Sequence, residues 1–142
     1  RINVFDYLRK WSTCFSTGSA SAQEIDNFGI VEATKMSMRR AVNGLNIKPD
    51  YLLIDALSIE ISDIPEISIT KGDNLSYSIA AASIIAKVTR DRHMETVLHV
   101  DYPDYDFANN KGYGTKSHLE ALKSFGPCPV HRYTFRPVKL SE

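Results

Sequence analysis

Tyr51-Leu52-Leu53-Ile54-Asp55 is an unbroken apolar run closed by a carboxylate, and its reading decides the fold. A run without alternation suits a strand buried on both faces, the habit of parallel sheets. Ile64 to Thr70 alternates loosely and reads as the next strand. Lys71-Gly72-Asp73 then turns the chain toward the longest expected helix, from about Ser76 to His99. The Ala80-Ala81-Ala82-Ser83 face of that helix is small enough to approach a sheet closely.

Working outward, Ile2 to Trp11 spaces Val4, Phe5, Leu8 and Trp11 as a helix with a core-facing stripe. Cys14 to Ser19 reads as an edge strand. Ser21-Ala22-Gln23-Glu24 fits a capping box, in which the serine hydroxyl takes an amide and Glu24 reaches back. The helix it opens should reach Asn43-Gly44, with Gly44 as a left-handed cap and Pro49 barring continuation. Its inner face would hold Ile25, Phe28, Val31, Met38, Ala41, Val42 and Leu45; Thr34, Arg39 and Arg40 ride on the same helix, where one arginine can simply be solvated.

Downstream, Tyr102-Pro103-Asp104-Tyr105-Asp106 opens a loop that runs through Gly112 and Gly114. Thr115 then caps a short helix with Leu119, Leu122 and Phe125 inside, closed by Gly126-Pro127. The tail from Pro129 to Leu140 sets Tyr133, Phe135 and Val138 among basic residues. Strands alternating with helices predict an α/β fold with some parallel pairing, as a single domain over 1–142.

At 142 residues, with 43% hydrophobic and 24% charged positions, the chain has the composition of one folded soluble domain. A formal net charge of zero removes the global basic footprint of a tight nucleic-acid binder, though a local basic face remains open. Cys14 and Cys128 lie far apart and form no metal-ligand spacing, which favours a reduced, cytoplasmic protein while leaving one disulfide open. No apolar run approaches membrane-spanning length, and nothing at the start resembles a signal peptide.

Asp55 and Asp73 both leave the ends of predicted elements beside a helix start, a pattern that points to metal-dependent chemistry on a phosphodiester. Open α/β sheets place ligand-binding groups at the carboxyl ends of their strands. Each aspartate also has a plainer reading: Asp55 as a turn residue and Asp73 as a helix cap. Capping and cation binding are compatible. Mg²⁺ and Mn²⁺ take oxygen ligands, and two such ions about 3.5–4 Å apart can activate water and stabilise a leaving oxygen. Two carboxylates are a thin set for that mechanism.

Ser83 and Lys87 share a helix face and could touch a backbone phosphate, against the commoner solvated lysine. Lys111-Gly112-Tyr113-Gly114-Thr115 sets an aromatic between glycines, which suits either a buried ring or stacking on a sugar or base. His118 and His131 have no spaced partner, so zinc is disfavoured and both read as surface or hydrogen-bonded residues.

In order along the chain stand Glu24-Ile25-Asp26, Ala33-Thr34 through Met38-Arg39-Arg40-Ala41, and Asp50 to Asp55. Lys71-Gly72-Asp73, Ile79 to Asp91 and Tyr102-Pro103-x-Tyr105-x-Phe107 follow, then Lys111-Gly112-Tyr113-Gly114-Thr115-x-x-His118 and His131-Arg132-Tyr133-Thr134-Phe135. This series resembles bacterial ribonuclease HII, the type 2 ribonuclease H family. The resemblance implies a ribonuclease H-like fold, a mixed central sheet flanked by helices. It implies hydrolysis of RNA in RNA/DNA hybrids and at single ribonucleotides in duplex DNA, with Mg²⁺ or Mn²⁺, leaving 3′-hydroxyl and 5′-phosphate ends. Asp55 and Asp73 match two of the family's four metal-binding carboxylates. Tyr113 matches its sugar-packing tyrosine, and Ser83 and Lys87 fall where substrate-backbone contacts are expected; Lys111 is read beside them as a nucleic-acid contact.

Two departures stand out. The family's opening Asp-Glu-x-Gly-Arg-Gly strand has no counterpart here, and Gly29 stands where the family usually has Asn. With Arg1 rather than Met first, the expectation is a C-terminal portion whose missing first strands leave a sheet edge and one flank of the core exposed. Such a chain would pair with its own N-terminal segment or dimerise through that edge, and would be weak or inactive alone. The rival expectations are a non-catalytic hybrid-duplex binding module and a purely structural α/β fragment.

Overall fold

The computed structural model describes residues 2–61 and 63–139; Arg1, Ser62 and the end of the tail from Leu140 lie outside these. The chain divides into two compact units, Arg1–Ala20 with Val31–Val88, and Ser21–Ile30 with Thr89–Glu142.

In the first unit, β1 (Leu52–Asp55) and β2 (Glu66–Ile69) pair in parallel, with Leu52 opposite Glu66 and Asp55 opposite Ile69. The parallel pair is as expected, but burial on both faces is not. Leu52 and Ile54 are buried, whereas the register partners Leu53 and Ile67 are 43% and 47% exposed. The sheet thus covers one face, with Leu52, Ile54, Ile59 and Ile64 packed against Met38 and Val42. A second cluster joins Phe5 of α1 (Ile2–Trp11) to Ile85 and Val88 of α4 (Tyr77–His93).

The helix α2 (Ala22–Asn43) opens on the expected capping box: the Ser21 amide donates to Glu24 Oε2 at 2.8 Å, and the Glu24 amide to Ser21 Oγ at 3.1 Å. It is not continuous. Gly29 adopts φ 80°, ψ 161°, a conformation costly for residues with a Cβ. The break resets the helical phase, so Phe28 and Val31, expected inside, are 58% and 56% exposed. Past the break, both arginines find partners. Arg39 Nε donates to the Ile59 carbonyl at 2.8 Å and its Nη1 meets Glu32 at 2.7 Å, while Arg40 donates to the Ser19 carbonyl at 2.6 Å. Gly18 lies so close to α2 that a Cβ would stand 2.0 Å from the Ser37 carbonyl oxygen.

Other expectations need correction. Cys14 to Ser19 alternates in burial as a strand would, but it joins no ladder; among the described residues β1 and β2 pair only with each other. Gly44 has no positive φ; α2 ends on ordinary backbone bonds from Gly44 to Arg40 and from Leu45 to Val42. Phe125 is 59% exposed rather than inside. Both cysteines are free thiols.

The short α3 (Gly72–Leu75) precedes α4, which runs from the first unit into the second. A π-helical turn at Met94–Leu98 and α5 (His99–Asp101) continue it close to the expected end. A 3₁₀ turn (Pro103–Tyr105), α6 (Phe107–Asn110), α7 (Lys116–Phe125) and α8 (Arg136–Lys139) complete the second unit. Its core gathers Met94, Tyr105, Phe107, Leu122, Cys128 and Val138. Asp26 ties down the tail, accepting from the Tyr133 amide at 2.8 Å and from the Thr134 amide and hydroxyl at 3.0 and 2.6 Å. Partial burial pushes the Asp26 carboxyl up, but the Thr134 and Tyr133 bonds and the Arg132 charge outweigh it and hold the pKa below the usual range. Among the described residues no helix is long and apolar enough to cross a membrane.

Candidate functional site

Asp55 is the last residue of β1, and its Oδ1 accepts the Gly72 amide at 2.9 Å. Gly72 is buried and opens α3, so this bond fastens the strand end to the helix start. The exposed Asp73 is the next residue, so both predicted carboxylates lie at the carboxyl end of the parallel pair. That is where open α/β sheets bind ligands. The donor chemistry fits a hard cation: one Asp55 lone pair is spent on Gly72, leaving carboxylate oxygen for a metal whose remaining positions water and phosphate can fill. Among the described residues no group of three or more His, Cys, Asp or Glu could hold a metal ion.

In the same unit, Ser83 is exposed on α4 and its hydroxyl donates back to the Ala80 carbonyl at 2.8 Å; Lys87, one turn on, is half-buried. The Ser76 hydroxyl sits 3.5 Å from the Ile79 amide at the start of that helix.

Tyr113 belongs to the second unit, in a loop bonded at nearly every residue. The buried Asn110 donates from Nδ2 to the Tyr105 carbonyl at 2.6 Å and accepts the Gly112 amide at 2.7 Å. The Tyr113 amide donates to the Asn110 carbonyl at 2.8 Å, and the Tyr113 carbonyl accepts the Thr115 amide at 2.8 Å. Gly112 has φ 77°, and a Cβ there would lie 3.0 Å from Met94 Cε. With the loop so held, the Tyr113 ring is 57% exposed, with the Arg90 guanidinium 5.7 Å from its centroid. Lys111 is engaged: its Nζ meets Glu95 at 2.8 Å and also bonds the Ala108 carbonyl. Thr115 caps α7 as expected, its hydroxyl accepting the His118 amide at 3.3 Å.

Sequence spacing missed the pairing of His118 with His131. Both are buried, their Nε2 atoms are 3.0 Å apart, and His118 Nδ1 lies 2.9 Å from the Tyr113 carbonyl oxygen. Thirteen positions separate them, too far for local pattern; the only hint was a histidine one helical turn past a capping threonine.

The fold and the site together define an α/β protein with carboxylates at the end of a parallel strand pair and an ordered, outward-facing tyrosine loop. Its architecture is shared with the ribonuclease H2 from Pyrococcus horikoshii, with a TM-score of 0.72 at 24% identity over 99% of this chain and 74% of that one. It is thus a ribonuclease H-like fold. The sequence pattern of the family described as Ribonuclease HII matches residues 9–138. This chain belongs to that family. It is 49% identical to the Ribonuclease HII of Desulfitobacterium hafniense over 98% of this chain and 53% of that protein. The enzymes of Listeria innocua and Staphylococcus aureus match at 51% and 48%, over 96% and 98% of this chain and 51% and 54% of theirs. The chain therefore spans about half the length of the curated relatives it matches.

Proposed function

We propose that this chain carries part of the active centre of an endonuclease that hydrolyses RNA in RNA/DNA hybrids and cuts at ribonucleotides within duplex DNA. The observation that carries the reading is the Asp55–Gly72 bond, which brings one carboxylate to the residue beside the other. Asp55 and Asp73 would hold Mg²⁺ or Mn²⁺, which when bound activates water and stabilises the leaving oxygen. The chain's own contributions are to hold the Asp55 carboxylate in place through the Gly72 amide and to present Tyr113 to the ribonucleotide sugar. Ser83, Lys87 and Lys111 would contact the backbone. Products would carry 3′-hydroxyl and 5′-phosphate ends, in a cytoplasmic protein working as a single ribonuclease H-like domain.

With two carboxylates in this set, the 142-residue chain alone should cut weakly or not at all. Its exposed Leu53 and Ile67 suit an N-terminal segment or a second copy as cover. The test is cleavage of a labelled duplex bearing one ribonucleotide, with Mg²⁺ or Mn²⁺, with and without the N-terminal part of a relative supplied in trans. Cutting that needs the ribonucleotide and vanishes in Asp55→Asn supports the reading. Ribonucleotide-selective binding without cutting, even with that part supplied, would instead establish a non-catalytic hybrid-binding module.

A further inference from the structure

The two buried histidines form a hydrogen-bond relay whose direction its ends dictate. At one end, the Cys128 backbone amide lies 3.0 Å from His131 Nδ1. An amide N–H can only donate, so Nδ1 must carry a lone pair, and the longer 3.3 Å approach of that nitrogen to the Cys128 carbonyl is not a hydrogen bond. At the other end, His118 Nδ1 lies 2.9 Å from the Tyr113 carbonyl, which can only accept, so this nitrogen must carry a hydrogen. Between them the two Nε2 atoms stand 3.0 Å apart. If both rings are neutral, His131 has its hydrogen on Nε2 and His118 has a bare Nε2, and the central bond forms. Two independent ends thus demand the same pair of tautomers.

A proton added to His118 would go to Nε2 and set two N–H groups against each other at the central contact, and one added to His131 would go to Nδ1 and set an N–H against the Cys128 amide. The surroundings oppose that proton. Burial, and next the neighbouring His118, hold the His131 pKa below its ordinary value, against a smaller opposing effect from the Cys128 backbone. The titratable groups facing the pair are Cys128, with Sγ 3.1 Å from His131 Nδ1, and Tyr105, with its ring 4.9 Å from that of His131. Burial raises both their pKa values, so both stay neutral through the range where histidine titrates.

We propose that His118 and His131 are positioning residues: a neutral, tautomer-locked relay that pins the Tyr113 carbonyl and so fixes how the exposed ring is presented. The link to substrate rests on the reading of Tyr113 as the group that meets the ribonucleotide sugar. The relay itself does not depend on that reading.

The chain as it stands can be tested in two ways. Long-range ¹H–¹⁵N spectra near pH 7 should show His131 with hydrogen on Nε2 and His118 with hydrogen on Nδ1; an imidazolium or the opposite tautomers overturn the proposal. In His118→Leu, amide exchange at Tyr113, Gly114 and Thr115 should speed up by about fivefold to tenfold, the net worth of one hydrogen bond, while His118→Gln, which can accept and donate in the same sense, restores it. Equal exchange in both variants overturns the proposal. Should the leucine variant not fold, His131→Gln replaces it: Oε1 can take the Cys128 amide and the side-chain NH₂ can serve His118, so loss of loop protection there counts against the relay. Binding to duplexes with and without one ribonucleotide separates the two readings. Tyr113→Ala without effect on preference refutes the role of Tyr113, whereas loss in Tyr113→Ala but not in His118→Leu refutes the positioning role.

Discussion

The carboxylate end of β1 and the tyrosine loop are built on opposite plans. The Asp55 carboxylate takes one hydrogen bond, from the Gly72 amide, and Asp73 is exposed. Tyr113 sits in a loop in which Asn110, Thr115 and His118 each fix a neighbouring backbone group. In the proposed function a carboxylate ligand must keep lone pairs for the cation, so a single orienting hydrogen bond suits it. A stacking ring gains by being pre-placed, because any freedom it keeps must be lost on binding. The same chain thus leaves one functional group ready to be claimed and holds the other rigidly.

Substitution should expose this difference most sharply at the two side chains that hold backbone amides. Asn110→Leu strands the Tyr105 carbonyl and the Gly112 amide in a buried place, and unfolding should show a loss of roughly 2–6 kcal/mol at about 1–3 per orphaned group. Asp55→Asn keeps an oxygen for the Gly72 amide and exchanges a charged acceptor for a neutral one, so it should cost less than about 1 kcal/mol. Equal losses in the two variants would dissolve the contrast.

A smaller effect separates the regions by pH. Because His131 has a lowered pKa, its unfolded form binds more protons once pH drops below about 6.5. The linked stability is therefore complete above that value and is lost as pH falls through the lowered pKa of the folded state. The lowered Asp26 carboxyl adds a second loss of the same sign in the acid range below the ordinary aspartate value. Both groups belong to the unit that carries the tyrosine loop. Amide exchange followed against pH should then show the Tyr113 loop losing protection between pH 7 and 5 while β1 keeps its own. Parallel loss in both places would show that protonation acts elsewhere.

Local signals were the legible part of this chain. The Ser21–Glu24 box and the Thr115 cap each depend on partners three residues away, and both form as the spacing predicts. The strands and the long helix were readable for the same reason. Long-range closure was not. The period of α2 predicted an inward Phe28 and Val31, but Gly29 takes a left-handed backbone and shifts the phase between them. Cys14 to Ser19 has the alternation of a strand without a neighbour to pair with. The aspartates could be picked out because strand ends and turns mark them; the histidine relay could not, since nothing at either position names its partner.

The smallest expected effect tests whether Lys111 belongs to the loop's scaffold or to its binding face. The Lys111 side chain is 18% exposed and paired with Glu95, itself 46% exposed, an arrangement worth at most about 1 kcal/mol at such a surface. Glu95→Gln keeps an acceptor oxygen for the ammonium but removes the charge that neutralises it. Stability should therefore change by less than about 1 kcal/mol. If Lys111 can turn to a phosphate, duplex binding should tighten, and the slope of log affinity against log salt should steepen by about 0.9, the release of one counterion. An unchanged slope would make Lys111 a strut between the loop and the π-helical turn that carries Glu95, and the rigid side of the comparison would then hold one more residue.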